Sequence, residues 1–276
     1  IAFSRDATGT VLDFTDPARP FVRLTLPAMP PAAFLPDGRI VTGGRDGMLR
    51  VWTDTGREAR APLKVADTAI YGLAVSASGR LIATQDGTRT LRIVSLDGRL
   101  PPPPISAKRG KPDEEQCDDL DFGSSTPIFS PDERIVVFVT HCGRIAAVTA
   151  EGKPVPLDDA EDSSVQTMRF SADGKSLIVR FVHQPGATTI IWPLADGRFG
   201  APQTLPEPMT NREIKGIETG FGPHTFLISL ESRIHGLAAD GRLTGFGFDV
   251  PDAGSLVRSA EGSRIAVSDR RRVVLY

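Results

Sequence analysis

Seven segments of similar pattern follow one another along the whole chain, and this repetition limits the fold more than any other feature. Each segment is built around an isoleucine in an apolar run, then passes through a turn, often Asp-Gly, into a second run in which apolar residues alternate. The isoleucines lie roughly 40 to 50 residues apart, a period typical of arrays of small β units. They are Ile1, Ile40, Ile82, Ile135, Ile178, Ile228 and Ile265.

Two further strand-like runs flank the hairpin in most segments. Before it, an apolar run ends in a turn, as in residues 32–39 (AAFLPDGR) and 168–175 (MRFSADGK). After it comes a run bounded by Gly or Pro, as in residues 56–65 and 197–206. The 27 Gly and 23 Pro residues recur between these runs, which indicates turns rather than disorder. The pattern therefore predicts an all-β chain with four short antiparallel strands per repeat.

Residues 32–63 (AAFLPDGRIVTGGRDGMLRVWTDTGREARAPL) resemble the WD-repeat β-propeller family. The resemblance is carried by an inner strand, a Pro-Asp-Gly turn, an Arg-Asp-Gly turn and a strand that ends in Trp52. Weaker copies extend it over essentially the whole chain. It implies a single domain, residues 1–276, folded as a seven-bladed β-propeller of four-stranded antiparallel blades.

The sequence departs from that family in its hydrogen-bonding residues. No Gly-His pair precedes an inner strand, and only Trp52 and Trp192 occupy the family's tryptophan position. The family's internal His–Ser–Trp network is therefore not expected as such, and we expect apolar packing between blades to stabilise the ring nearly alone. The first repeat begins at its second strand, and the last ends after its third. We expect that the N-terminal closing strands are missing from this chain and that sequence upstream of Ile1 supplies them.

In a four-stranded blade, the turn between the second and third strands lies on the same face as the loop that enters the next blade. The resemblance implies that this top face binds protein partners. Residues 101–124 form an acidic insertion on this face, and turn arginines of three neighbouring blades form a basic arc across from it. The candidate partner-binding residues are Arg5, Arg45, Tyr71, Arg270, Arg271, Glu114, Asp118 and His141. The alternative is that the arginines are ordinary solvated surface charges.

The two cysteines are predicted to lie on the same face of one blade. Cys117 belongs to the insertion and Cys142 to the following hairpin turn. Three alternatives stay open for them: separate thiols, a disulfide, or a zinc site that includes His141. The carboxylates of the insertion lack the ligand spacing of a calcium loop. No metal or cofactor is predicted.

The motifs of several functional classes are missing from the sequence. None of the four histidines lies in a Gly-x-Ser-x-Gly context, no phosphate-binding glycine loop occurs, and the inner strands are expected to be mostly apolar or Ser/Thr. The net charge is −2 and aromatic residues do not alternate with the arginines of 270–272, so nucleic-acid binding is not predicted. No apolar run approaches the roughly 20 residues of a membrane span.

The sequence as a whole predicts a non-catalytic protein-interaction scaffold or sensor. We expect it to be part of a larger prokaryotic signalling or defence-type protein and, from its low cysteine content, to be cytoplasmic unless an upstream signal directs it elsewhere. One alternative is a small-molecule-binding or metal-dependent propeller enzyme that uses the central channel. Another is a purely structural propeller that supports an attached effector domain.

Overall fold

The strands of this chain form two compact units of antiparallel sheets. The computed structural model describes residues 2–3, 9–13, 21–27, 31–96, 126–140, 144–157, 164–183, 186–205, 214–222, 224–230, 232–250, 256–258, 264–268 and 273–275. Every regular element in these ranges is a β-strand. Correspondingly, no helix in the described residues is long and apolar enough to span a membrane.

The first unit contains sheets one to three and most of sheet four. Sheet one has β1 (Ala2–Phe3), β2 (Gly9–Asp13) and β3 (Phe21–Leu26); sheet two has β4 (Ala32–Phe34), β5 (Ile40–Gly43), β6 (Met48–Trp52) and β7 (Leu63–Lys64). Sheet three has β8 (Ile70–Val75), β9 (Leu81–Asp86) and β10 (Leu91–Ser95); sheet four has β11 (Ile128–Phe129), β12 (Ile135–Val139), β13 (Ile145–Thr149) and β14 (Pro154–Val155).

The second unit contains sheets five to seven. Sheet five has β15 (Ser164–Phe170), β16 (Ser176–His183), β17 (Gly186–Ala195), β18 (Arg198–Phe199) and β19 (Gln203–Thr204). Sheet six has β20 (Ile214–Thr219), β21 (Phe226–Leu230), β22 (Arg233–Leu237) and β23 (Leu243–Asp249). Sheet seven has β24 (Leu256–Arg258), β25 (Ile265–Ser268) and β26 (Val273–Leu275).

The recurring isoleucines mark the second strand of sheets two to seven. Six of the seven lie on β5, β9, β12, β16, β21 and β25, and Ile1 falls outside the described residues. These strands have neighbours on both sides within their sheets, and every residue of β12 and β21 is buried. A strand covered on both faces needs a continuous apolar run rather than strict alternation. This explains why the second strand gives the clearest sequence signal.

Neighbouring sheets within each unit pack through separate apolar clusters. In the first unit, one cluster joins sheets one and two, a second joins sheets two and three, and a third joins sheets three and four. In the second unit, one cluster joins sheets five and six and another joins sheets six and seven. Burial of these side chains supplies the main favourable free energy of folding.

Sheet two contains a buried side-chain hydrogen bond in addition to its apolar packing. Trp52, at the end of β6, donates its indole Nε1–H to Thr42 Oγ1 on β5 across 2.9 Å, and both side chains are buried. Trp192 on β17 is fully buried, and its Nε1 has no partner among the described residues. Pairing of Ile40 with Trp52 and of Leu177 with Trp192 makes Val179 the counterpart of Thr42. Valine has no acceptor to offer the indole.

The predicted outer strand at residues 197–206 is split in two. After the tight turn at Gly197, β18 pairs with the end of β17, and β19 then pairs with the middle of β17. Gly200, Ala201 and Pro202 separate the two pieces, and Pro202 has no N–H to give to a continuous ladder. Sheet five therefore has five strands where the repeat pattern predicts four.

The turn between the first and second strands places one residue in the left-handed region in each of sheets two to five. Three of these residues are glycines, namely Gly38 (φ +85°), Gly79 (φ +73°) and Gly174 (φ +70°), but sheet four has Glu133 (φ +62°). The Glu133 carboxylate accepts hydrogen bonds from Ser78 N and, across 2.8 Å, from Ser78 Oγ in the turn of sheet three. The strain at Glu133 is therefore offset by a link between two sheets.

Replacing Glu133 by alanine is expected to destabilise the protein more than replacing it by glycine. Both changes remove the bonds to Ser78, which contribute about 1 kcal/mol. Only glycine also relieves the left-handed strain, which costs about 1–2 kcal/mol for a residue with a Cβ. Urea unfolding should give a lower midpoint for Glu133→Ala than for Glu133→Gly. Equal midpoints would show that the backbone at this turn relaxes away from a positive φ.

Candidate functional site

Two of the predicted partner-binding residues lie at the same end of the first unit. Arg45 belongs to the β5–β6 turn, where Gly47 N donates to Gly44 O (3.1 Å). Ile70 N, at the start of β8, also donates to Gly44 O (3.1 Å), so the first strand of sheet three begins beside the turn of sheet two. Tyr71 follows Ile70 directly. The structure thus places Arg45 and Tyr71 on one surface, called the Arg45–Tyr71 surface below.

A β-bulge exposes Tyr71. The register between β8 and β9 shifts between Ile70 and Gly72, which leaves Tyr71 as the extra residue with 63% of its area exposed. Bulges commonly redirect a side chain in this way at the edge of a sheet. The ring lies close to Gly87 of the β9–β10 turn, since a Cβ at that position would be 3.2 Å from Tyr71 Cε2. The bulge and the missing side chain at Gly87 together leave room for the exposed ring.

The turn that carries Arg45 is held by its aspartate. Asp46 Oδ2 accepts from Arg50 Nη2 (2.6 Å), Asp46 Oδ1 accepts from Met48 N (3.2 Å), and Lys64 Nζ donates to Asp46 O (2.8 Å). The hydrogen bond from Arg50 is the main reason why the pKa of Asp46 falls from 3.8 to about 2. The carboxylate is therefore ionised over the physiological pH range and accepts these hydrogen bonds within the turn.

The next turn of the same surface is held in a similar way. Asp86, which is almost fully buried, accepts hydrogen bonds at Oδ1 from Thr88 N (2.9 Å), Thr88 Oγ1 (2.7 Å) and Thr90 N (3.2 Å). Burial by itself would raise the pKa of Asp86, but the hydrogen bonds from Thr88 and Arg92 outweigh it and the pKa is lowered. Arg45 and Tyr71 are therefore carried by two ordered turns.

The side chains of Arg45 and Tyr71 are both available to a partner. Within the described part of the chain, neither makes a hydrogen bond or an ion pair, and both are exposed. The other charges of this turn region, Asp46, Arg50 and Lys64, are engaged with one another. The described surface is thus an exposed ring beside a single unengaged arginine, and the wider basic arc stays a prediction.

The remaining predicted site residues fall outside the described ranges. They are Arg5, Arg270, Arg271, Glu114, Asp118, His141, Cys117 and Cys142. The acidic insertion at residues 101–124 lies there as well, so the alternatives for the cysteine pair stay open. Within the described ranges, no three His, Cys, Asp or Glu side chains are grouped so that they could hold a metal ion.

The same bulge occurs in the second unit, at residues that the sequence analysis did not select. The register shifts between Val165 and Thr167 on β15, and between Ile214 and Gly216 on β20, which makes Gln166 and Lys215 the extra, exposed residues. A sequence signal exists, because Tyr71, Gln166 and Lys215 each stand five residues before the Ser or Gly that directly follows the first strand. Tyr71 was predicted as an aromatic anchor, without reference to this spacing.

Comparison with known proteins agrees with the sheet pattern. Residues 32–53 match the family model of the WD domain, G-beta repeat. Thr42 and Trp52, which share the indole hydrogen bond, both lie in this range. No curated protein matches the chain.

Among solved structures, the chain is similar to the crystal structure of the C-terminal WD40 domain of Sif2, with a TM-score of 0.66 and 15% sequence identity over 99% of this chain and 76% of that chain. In all, 1420 solved chains match, so the likeness reports a common fold rather than one activity. The chain therefore has the fold of a WD40 β-propeller domain, and one of its repeats, residues 32–53, matches the WD-repeat family model.

Proposed function

We propose that this chain is a non-catalytic protein-interaction scaffold or sensor and that the Arg45–Tyr71 surface contacts its partner. WD40 propellers generally mediate protein–protein interaction. We choose this surface because the large aromatic side chain of Tyr71 is 63% exposed, at a bulge between two ordered turns. Tyr and Arg are enriched among the residues that dominate binding free energy at interfaces.

The partner that this surface suits is a protein with an apolar pocket or ridge beside a carboxylate. The Tyr71 ring would supply buried apolar area, and its hydroxyl would supply a hydrogen bond at the edge of the contact. The Arg45 guanidinium would form a charge-assisted pair with a carboxylate of the partner. The two ordered turns reduce the conformational entropy that such a contact would cost.

We also propose that this propeller works in the cytoplasm as part of a larger prokaryotic signalling or defence-type protein. The similar structure of Sif2 is described as a C-terminal WD40 domain, and a propeller joined to further domains fits the sensor role proposed here. The low cysteine content supports a reducing compartment. Identifying the full-length polypeptide and its cellular fraction would test this part of the proposal.

Changing the proposed surface is expected to abolish capture of the partner while the fold persists. Immobilised wild-type protein, Arg45→Glu, Tyr71→Ala and Arg57→Glu would be compared for the proteins that each retains from a cell extract, quantified by mass spectrometry. We expect at least one protein to be retained by the wild type and lost with Tyr71→Ala and Arg45→Glu. For a purified partner, we expect Tyr71→Ala to raise Kd by about 30-fold or more, as for an interface hot spot.

Arg57→Glu is the matched control because Arg57 is an exposed arginine of the same sheet. It lies in the turn after β6, whereas Arg45 lies in the turn before it, so the two arginines are at opposite ends of that strand. Arg57→Glu makes the same change of charge and should leave binding unchanged. Equal retention by all four proteins would contradict the proposed surface and would favour a purely structural propeller.

A further inference from the structure

The second unit contains a pocket that is lined by basic side chains. It has a volume of about 280 Å³ and is bordered by Arg169, Arg180 and Lys215 together with Gln166, Thr167 and apolar residues of β20 and β24. The first strands of sheets five, six and seven lie side by side there. These first strands are mostly apolar or Ser/Thr, and bulges in β15 and β20 bring two of their few long polar side chains, Gln166 and Lys215, to the pocket.

Arg180 is the innermost of the basic side chains. It lies on β16 and is only 5% exposed, yet it reaches the pocket that forms in front of β15. Its Nε donates to Gln166 Oε1 (2.9 Å) and its Nη1 donates to Thr189 Oγ1 (3.1 Å). Its hydrogen bonds hold it, with Gln166, in a fixed place at the pocket wall.

Arg169 and Lys215 stand at the more open side of the pocket. Arg169 Nη1 donates to Met168 O (2.8 Å), and its Nε lies 3.5 Å from Glu218 Oε1, so the side chain is held while remaining 38% exposed. Lys215 is the bulge residue of β20; it is exposed and has no hydrogen bond or ion pair within the described residues. One ordered and one unengaged cation therefore border the same opening.

We propose that this pocket binds a small oxyanion, the carboxylate or phosphate group of a ligand. Guanidinium and ammonium groups that converge on a partly desolvated site form short, charge-assisted hydrogen bonds with such groups. Thr167 and Gln166 add neutral hydrogen-bonding groups at the wall. The volume lies near the lower limit of about 300 Å³ for small-molecule sites, so it suits an anionic group with few further atoms.

The test compares inorganic phosphate, citrate and sodium chloride at matched ionic strength and neutral pH. Calorimetric titration and the midpoint of thermal unfolding would be measured for the full chain. Phosphate and citrate stabilise many proteins through exclusion from their surfaces, an effect that grows steadily with concentration. Binding at a site saturates instead. We expect a saturable response to phosphate, to citrate or to both, and none to chloride.

Variants locate that response at the pocket. Lys215→Gln and Arg169→Gln each remove one positive charge from an exposed or partly exposed side chain, and we expect each to weaken binding about tenfold or more, as for loss of one charged hydrogen bond. Lys175→Gln and Arg198→Gln are the matched controls, since both side chains are exposed in the same sheet as Arg169 and neither borders the pocket. Both controls should bind as the wild type does.

The outcomes separate the two chemical sources of the anion. A response to phosphate alone assigns the pocket to phosphorylated ligands, one to citrate alone assigns it to carboxylates, and responses to both assign it to oxyanions in general. The proposal is overturned if neither anion gives a saturable response, or if the response is the same in Lys215→Gln and Arg169→Gln as in the wild type. None of these results depends on binding at the Arg45–Tyr71 surface.

Discussion

Replacing Gly47 by alanine should lower the free energy of unfolding by about 2–5 kcal/mol, which is the largest effect expected of any single change considered for this chain. Gly47 has a φ of +71°, and a Cβ there would lie 1.9 Å from Ala66 O. The contact is with backbone, so no side-chain rotation can relieve it. Gly47 O also accepts hydrogen bonds from Val65 N (3.0 Å) and Ala66 N (3.1 Å), and moving the turn would break them.

Gly38→Ala is the matched control for this prediction. Gly38 lies in the preceding turn of the same sheet at φ +85°, but nothing lies within 4 Å of the position that its Cβ would take. It should show only the backbone cost of a left-handed alanine, about 1–2 kcal/mol. Urea unfolding at constant m value measures both changes. Equal losses for the two variants would mean that the Ala66 segment moves aside easily and that the Arg45 turn is not rigid.

The fold could be predicted from the sequence because its strongest signal lies at the most buried strands. Ile82, Ile135 and Ile228 are each at most 2% exposed and lie on inner strands of their sheets. The repeated isoleucines in the sequence are therefore core residues of the fold. The split outer strand of sheet five could not be predicted from an apolar pattern. It follows from the backbone conformation at Gly197 and from the missing N–H of Pro202. Both features determine which backbone groups of the strands form hydrogen bonds, not which side chains are buried.

The candidate sites were less predictable because they depend on local backbone geometry. Tyr71 was predicted from the sequence as a partner-binding residue, and the structure adds the bulge that exposes it. Gln166 and Lys215 occupy the same bulged position in their strands but are polar, so no apolar or aromatic signal drew attention to them. Arg180 lies on β16, yet its side chain borders a pocket that is otherwise lined mainly by residues of β15 and β20. The spacing of residues along the sequence does not predict such a contact between strands.

The indole hydrogen bond lies in the repeat that matches the family model. Sheet two has both partners, Thr42 and Trp52. Sheet five has Trp192 but Val179 at the position of the hydroxyl. Sheet three has Thr84 at that position, but the residue that pairs with Ile82 as Trp52 pairs with Ile40 is Val94, and Thr84 Oγ1 donates to Arg92 O instead. Sheets three and five therefore each have only one of the two partners of this hydrogen bond.

Thr42→Val and Val179→Thr are therefore expected to change stability in opposite directions. Thr42→Val leaves the buried Nε1–H of Trp52 without an acceptor and should cost about 1–3 kcal/mol. Val179→Thr offers an acceptor to the fully buried Trp192 and should stabilise the protein by up to about 1 kcal/mol, because the new hydrogen bond outweighs burial of one hydroxyl. The midpoints of thermal and urea unfolding measure both changes.

Val137→Thr separates this hydrogen bond from the general effect of a buried hydroxyl. Val137 is fully buried on the second strand of sheet four, where the structure shows no tryptophan among the described residues. Its replacement should cost about 1–3 kcal/mol, since the hydroxyl gains no indole partner. If Val179→Thr is as destabilising as Val137→Thr, the introduced hydroxyl does not accept a hydrogen bond from the indole of Trp192. If Val179→Thr alone is stabilising, the hydroxyl–indole pair of sheet two can be transferred to another blade by one substitution.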